Sequence, residues 1–236
     1  MTVLIVDTSA AVSAALIADD GTELASRTLR EQRRHAELLT PMIAELLQQA
    51  ALTSADITTV VSGTGPAPFT GLRVGLVTAR TFAFGVGKEA LGVPSLDATA
   101  SQAADQLNLA DGSEILVVSD ARRKEVYFAR YAVGPKNAYG AREVTTLVGP
   151  DVASAAHVVE QGYAQGAVVV GEGAQAYADE FAGSNLSDAV QVPSPVVLGK
   201  LALGRAAAGL EQPTTPLYLR RPDAQVPAGR KRALGA

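Results

Sequence analysis

The sequence predicts an α/β protein of two lobes, each a mixed sheet covered by helices. Three observations carry this expectation. An order of three strands, then helix, strand, helix, strand and helix, runs to about residue 107, and the same order starts again at residue 113. The first strands of the two runs look alike, Leu4-Ile5-Val6-Asp7-Thr8 against Leu116-Val117-Val118-Ser119-Asp120, and in both an acidic residue stands where a turn begins. Finally, 236 residues that are 47% hydrophobic and 19% charged are enough for two lobes of roughly 100–130 residues without cross-links. The expected units are residues 1–110, residues 111–210 and a closing segment and tail, 211–236.

Each element has its own signal. Val3 to Val6 is a short apolar run ending in Asp-Thr-Ser, which suits a buried strand and turn. Ala11 to Ala18 reads as a second strand, Asp19-Asp20-Gly21 as its hairpin turn, and Thr22 to Arg30 as a third strand. A helix follows from Arg34 to Leu52, broken by Ser54-Ala55-Asp56. Then come a strand from Thr58 to Ser62 and the Gly/Pro loop Gly63 to Pro68. A helix from about Thr70 to Gly85, a strand from Glu89 to Val93 and a helix from Ser95 to Leu107 complete the first run. In the second run the strands are Glu114 to Ser119, Glu125 to Tyr131 and Arg142 to Leu147. A helix from Pro150 to Gln161, a strand from Ala167 to Val170 and a helix from Gly173 to Phe181 follow. A strand from Ala189 to Val192 and a helix from Val196 to Leu210 close it. Hairpin-paired strands followed by helix-joined ones make a mixed sheet. Two such lobes are the duplicated actin-like (ASKHA) architecture of actin, sugar kinases and heat-shock ATPases.

Composition excludes several chemistries. With no cysteine there is no disulfide framework, thiol nucleophile or thiolate metal site. Twenty basic against 24 acidic residues leave a net charge of −4, without the basic excess of a protein that grips nucleic acid by phosphate contacts. The dense run Arg230-Lys231-Arg232 sits in a Pro/Gly-containing tail and reads as a solvated end. No 18-residue window stays apolar, and Asp7 interrupts an N-terminal stretch that has no basic flank. The expectation is a soluble cytoplasmic protein with no membrane contact.

The loop Gly63-Thr64-Gly65-Pro66-Ala67-Pro68-Phe69-Thr70-Gly71 lies where phosphate loops lie, yet it has neither the P-loop lysine nor the third glycine of a dinucleotide loop. Its prolines remove two backbone donors, so a rigid strand-to-helix connection is the simpler reading. Asp7 and Asp120 stand where an ATP cleft would hold Mg²⁺. Ala10-Ala11 replaces the flexible glycine turn such a cleft wants. His35 and His157 have no second histidine at metal-ligand spacing, and no Gly-x-Ser-x-Gly elbow exists. The expected cofactor set is therefore empty and the chain is not expected to be an enzyme on its own. The two central helices stand out instead. Leu38, Leu39, Met42, Ile43, Leu46, Leu47 and Ala50 span about 180° of one helix, where docking on a sheet needs about 100°. The next helix is apolar nearly all round, with Arg73 and Arg80 on one face and the small residues Gly71, Gly75 and Thr78 on another. The surplus fits either a core wrapped on both sides by the chain's own second lobe or a partner interface, and the interface expected here is formed by His35, Leu38, Leu39, Met42, Ile43, Leu46, Leu72, Arg73, Gly75, Leu76, Ala79 and Arg80. On this reading Leu46→Asp abolishes partner binding and leaves the monomer folded.

Val3-Leu4-Ile5-Val6-Asp7-Thr8-Ser9, His35-Ala36-Glu37-Leu38-Leu39-Thr40-Pro41, the loop and helix from Gly63 to Gly75, Asp120-Ala121-Arg122-Arg123-Lys124-Glu125-Val126-Tyr127 and Pro216-Leu217-Tyr218-Leu219-Arg220 together resemble the TsaB family. These are the non-catalytic partners in bacterial tRNA threonylcarbamoyladenosine synthesis. The resemblance reaches to about residue 222 and implies a subunit that docks TsaD, a related actin-like protein. TsaD binds metal and transfers threonylcarbamoyl to the adenosine next to the tRNA anticodon; a small ATPase, TsaE, joins them. It implies tRNA contact only through the complex, with homodimerisation of the lone chain as a further expectation. Where the catalytic relative has His-x-x-x-His, this chain has Ser95 and Thr99, and neither replaces an imidazole at a transition metal. The loop departs from the family in having Ala67 and Pro68 where Gly and Ser are common. The alternatives are an actin-fold ATP-dependent small-molecule kinase, motivated by Asp7 and Asp120, and a metallopeptidase, which lacks its second histidine.

Overall fold

A computed structural model describes residues 2–31 and 34–220; the basic run at 230–232 lies outside them. The strands of the first half, β1 (Thr2–Asp7), β2 (Val12–Ala18), β3 (Glu23–Leu29), β4 (Ile57–Gly63) and β5 (Ala90–Val93), form one sheet in the order β3-β2-β1-β4-β5. Those of the second half, β6 (Glu114–Arg122), β7 (Glu125–Lys136), β8 (Arg142–Ser154), β9 (Val168–Val170) and β10 (Asn185–Leu186), form another in the order β10-β9-β6-β7-β8. The two orders are the same. In each sheet the first strand pairs antiparallel with the second and parallel with the fourth, as hairpin and crossover connections require. This duplicated order is the actin-like fold expected from the sequence.

The helices decide where the core sits. Strand alternation turns Leu4 and Val6 to one face of the first sheet and Val3 and Ile5 to the other. The first face is covered by α1 (His35–Gln49) and α2 (Phe69–Gly85), and the second by α6 (Pro195–Ala207), through Leu198, Leu201 and Ala202. In the second sheet, Ile115, Val117, Ala129 and Tyr131 meet Leu96, Ala100, Ala103 and Ala104 of α3 (Ser95–Gln106). The opposite face packs on α4 (Ala155–Glu160) and α5 (Glu172–Ala176). The last helix of each half thus leans toward the other half's sheet, and α3 and α6 form a shared middle layer. Both cross the division at residue 110. Asp97 of α3 sits inside that layer, accepting from the Tyr131 hydroxyl of β7 at 2.9 Å and from Arg205 Nη2 of α6 at 2.7 Å. Burial, with Asp97 beside it, pushes the Tyr131 phenol well above its usual range.

Three second-half elements differ from the sequence reading. The helix expected from Pro150 is α4, which starts only at Ala155; β8 runs on to Ser154, whose hydroxyl caps the helix by accepting from the His157 amide at 3.2 Å. Gly149, at φ +83°, lets the strand shift register and continue past Pro150. The strand expected at Ala189 to Val192 is not a strand. Val190 and Gln191 offer their carbonyls to the amides of Gly171 and Glu172 at the start of α5, and Asn185–Leu186 pairs with β9 instead. The helix expected over Gly173 to Phe181 is only Glu172–Ala176.

The chain leaves α6 at Ala207 and returns to the first lobe as an extended strap. Gln212 accepts from the Gly92 amide of β5 at 2.8 Å, and the Leu217 amide donates to Thr64 at 2.9 Å. A Cβ at Gly92 would strike the Pro213 carbonyl, so the strap needs glycine there.

Removing one member of a buried, hydrogen-bonded ion pair is costly because the other is left without a partner. Asp97→Ala should therefore lower unfolding free energy by about 4 kcal/mol, and Tyr131→Phe, which removes one hydrogen bond to the carboxylate, by about 2 kcal/mol. Urea titrations at pH 7 measure both; equal losses would place the weight on packing around Tyr131 instead.

Candidate docking face and interlobe cleft

The structure places most of the twelve sequence-predicted interface residues inside the first lobe. Leu39, Met42, Ile43, Leu46 and Ala79 belong to the core beneath α1 and α2, with Leu38 packed against it. Leu72 and Leu76 close over Ala67. Gly75 is buried against Thr8: the Thr8 hydroxyl donates to the Gly71 carbonyl at 2.8 Å and accepts from the Gly75 amide at 3.0 Å, inserting a side chain into one rung of α2. A Cβ at Gly75 would lie 2.5 Å from that hydroxyl. The small-residue face thus admits β1's end, not a second chain. The wide arc of α1 has the same explanation. The helix lies in the wedge between the sheet and α2, so two directions of its surface are covered. Leu46, 2% exposed, is a core residue, and an aspartate there opposes folding itself.

What faces outward is a stripe along α2 at helical spacing, Arg73, Val77, Arg80 and Phe84. Val77 is 61% exposed and Phe84 87%. Beside it a shallow groove of about 430 Å³, lined by Ala36, Phe69, Val74 and Val77 among others, separates α2 from the start of α1. Arg73 stacks on Phe69, its Cζ 3.6 Å from the ring centroid, and its Nε donates to the Tyr218 hydroxyl at 3.0 Å. Arg80 donates to the Thr214 side chain at 2.9 Å and to its carbonyl at 2.6 Å. Sequence reasoning found the two arginines but not Val77, Phe84 or Tyr218. The signal for the first two was present, since they share the arginines' face. The sequence marks Tyr218 only as part of the motif Pro216 to Arg220, with no sign of its contact with α2.

The second candidate is the cleft between the lobes, about 360 Å³, where Thr8, Ser9 and Ala10 face Asp120, Arg122 and Glu172, with His35 and Gly71 on its wall. Asp7 does not reach into it. One carboxylate oxygen accepts from the Ser9 amide at 2.7 Å and hydroxyl at 2.6 Å; the other accepts from the Ser95 hydroxyl at 2.5 Å. Asp7 is 1% exposed and its burial raises its pKa. Ser95 also accepts from the Gly65 amide at 3.2 Å, so the Gly/Pro loop is tied to α3. The Thr99 hydroxyl donates to the Ser95 carbonyl at 3.2 Å. Both side chains are thus engaged within the fold, and hydroxyls do not fit a transition metal. Among the described residues no cluster of His, Asp or Glu could hold a metal ion. Burial lowers the His35 pKa. Across the cleft, burial and then the nearby Asp120 raise Glu172 from 4.5 to about 7.

The folded state therefore holds the Glu172 proton more tightly than the unfolded chain does, and stability falls as pH rises from about 4.5 to about 7. Glu172→Gln should gain on the order of 2 kcal/mol at pH 8 and nothing at pH 4. Thermal melts of both proteins at the two pH values check this; an equal gain at pH 4 removes the electrostatic cause.

With this geometry, the relatives can be placed. The family model for TsaD, tRNA N6-adenosine threonylcarbamoyltransferase, matches residues 24–210. An uncharacterized protein of Mycobacterium tuberculosis is 38% identical over 95% of this chain and 94% of its own length. The TsaB protein of Escherichia coli, named for tRNA threonylcarbamoyladenosine biosynthesis, is 30% identical over 93% of this chain and 95% of its own. YeaZ from Pseudomonas aeruginosa superimposes with a TM-score of 0.74 at 25% identity, covering 92% of this chain and all of that one (100%). On these matches, over nearly its whole described length, the chain belongs to the TsaB/YeaZ family.

Proposed function

We propose that this chain serves tRNA threonylcarbamoyladenosine biosynthesis as a non-catalytic subunit that docks a TsaD-like catalytic chain through the outer face of α2 and the start of α1. The observation that carries the reading is the stripe Arg73-Val77-Arg80-Phe84 with its adjoining groove, which leaves two large apolar side chains of one helix in water. Covering them is worth roughly 1.5–3 kcal/mol each, and Val77 continues into the groove of Ala36, Phe69 and Val74, an apolar surface of the kind that marks interfaces. A partner of the same fold, as the match to the transferase family model suggests, brings comparable helices to the junction. The subunit role accords with Ser95 and Thr99, which hold backbone where a metal enzyme needs imidazoles. A TsaE-like ATPase joins the assembly, tRNA is reached only through it, and the lone chain covers the same face by homodimerising. No helix among the described residues is long and apolar enough to cross a membrane, and the proposed place of action is the cytoplasm. The kinase reading is not favoured: the named relative that matches nearly the whole chain at 30% identity is a tRNA threonylcarbamoyladenosine biosynthesis protein, and Asp7 is turned away from the cleft.

The test is light scattering of the chain with and without TsaD from the same organism. Val77→Asp should keep its melting temperature within about 2 °C, as exposed sites do, while weakening the heterocomplex at least 100-fold because a hydrated carboxylate takes the place of an apolar side chain that docking buries. Leu46→Asp should instead fail to give a folded monomer. Normal docking by Val77→Asp would remove the face from consideration.

A further inference from the structure

Two residues of the strap, with one between them, join the α2 face to the other lobe. Tyr218 stacks on Phe69 with ring centroids 4.6 Å apart and accepts from Arg73, so it completes the N-terminal end of the outward stripe. Arg220 reaches the β6–β7 turn, donating to the Ala121 carbonyl at 2.6 Å and pairing with Glu125 at 2.7 Å. That turn holds Arg122, Arg123 and Lys124 at φ values of +65°, +56° and +63°. Three successive non-glycine residues in the left-handed region make a segment that neighbouring contacts must hold in place. The same turn contributes Asp120 and Arg122 to the cleft. The strap is otherwise fastened to the first lobe, at Gly92, Thr64 and Arg80, and to α6, where Gln212 Nε2 donates to the Ala202 carbonyl at 3.0 Å.

We infer that Arg220 is a positioning residue: by clasping the β6–β7 turn it sets the strap, and through Tyr218 the Phe69–Arg73 end of the docking face, to the position of the second lobe. Docking and the arrangement of the cleft are then coupled in both directions. The inference rests on the docking reading above for its partner, but its mechanical half stands apart from it.

Hydrogen exchange on the full-length chain tests the mechanical half. Arg220→Gln should speed exchange in the turn, residues 119–126, and also at the strap amide of Leu217, at Gly92 and in residues 69–76. A purely local role moves only the turn, and that result overturns the inference. Light scattering and titration with TsaD test the other half. Arg220→Gln should weaken docking by about tenfold, within the range of coupling between distinct sites, although Arg220 is not on the stripe. The exchange of partners, Glu125→Arg with Arg220→Glu, should recover the part of both effects that the ion pair carries, while the Ala121 carbonyl stays without its donor. Unchanged docking by Arg220→Gln, where Val77→Asp abolishes it, also overturns the inference. If Val77→Asp docks normally, the docking reading falls and the exchange pattern alone decides on the strap.

Discussion

Two sheets that each need cover on both faces, and only three helices per half to supply it, force the halves to share a layer. The helices α3 and α6 are that layer, and Asp97 between Tyr131 and Arg205 joins β7, α3 and α6 at one buried carboxylate. Neither lobe has a complete core without an element from the other half of the chain. The same middle layer anchors Ser95, which reaches back to Asp7 and Gly65. The geometry of the cleft and of the Gly/Pro loop is therefore downstream of it.

On the outer side of the first sheet, the constraint is the wedge between sheet and α2 in which α1 lies. It absorbs an apolar arc twice as wide as a sheet alone would cover, and it is tightened by the Thr8 hydroxyl set into the Gly71–Gly75 rung. What remains for a partner is narrow, a stripe of alternating arginine and apolar side chains bordered by the strap. Its arginines are already oriented by Phe69, Tyr218 and Thr214. Side chains held in this way lose less conformational freedom on association than free ones.

The acidic groups in and beneath the cleft are committed to the protein itself. Asp7 is satisfied three times by serine donors, and Asp120 accepts from the Arg122 amide at 2.8 Å and pairs with its guanidinium at 3.3 Å. Glu172, held protonated toward neutrality by burial, adds no firm negative charge. The carboxylates thus serve to brace turns and loops in this chain.

The sequence by itself determined the element order, the duplication and both sheets' inward strands. Those follow from local signals: periodicity, turn residues, and breakers such as Ser54-Ala55-Asp56. It also determined that α1 and α2 carry more apolar surface than one sheet can use. It misjudged Pro150 and the Ala189–Val192 run, because a helix-start proline and a β-branched segment read the same whether they continue a strand, cap a helix or open one. Which apolar residues are inside was decided only in three dimensions. Leu46 and Val77 are equally apolar, and one is in the core while the other is in water because α2 fills the space beside α1. The Asp97 junction, the exchange of α3 and α6 and the strap from Tyr218 to Phe69 join residues 34 to 149 positions apart, a range over which no local pattern constrains pairing.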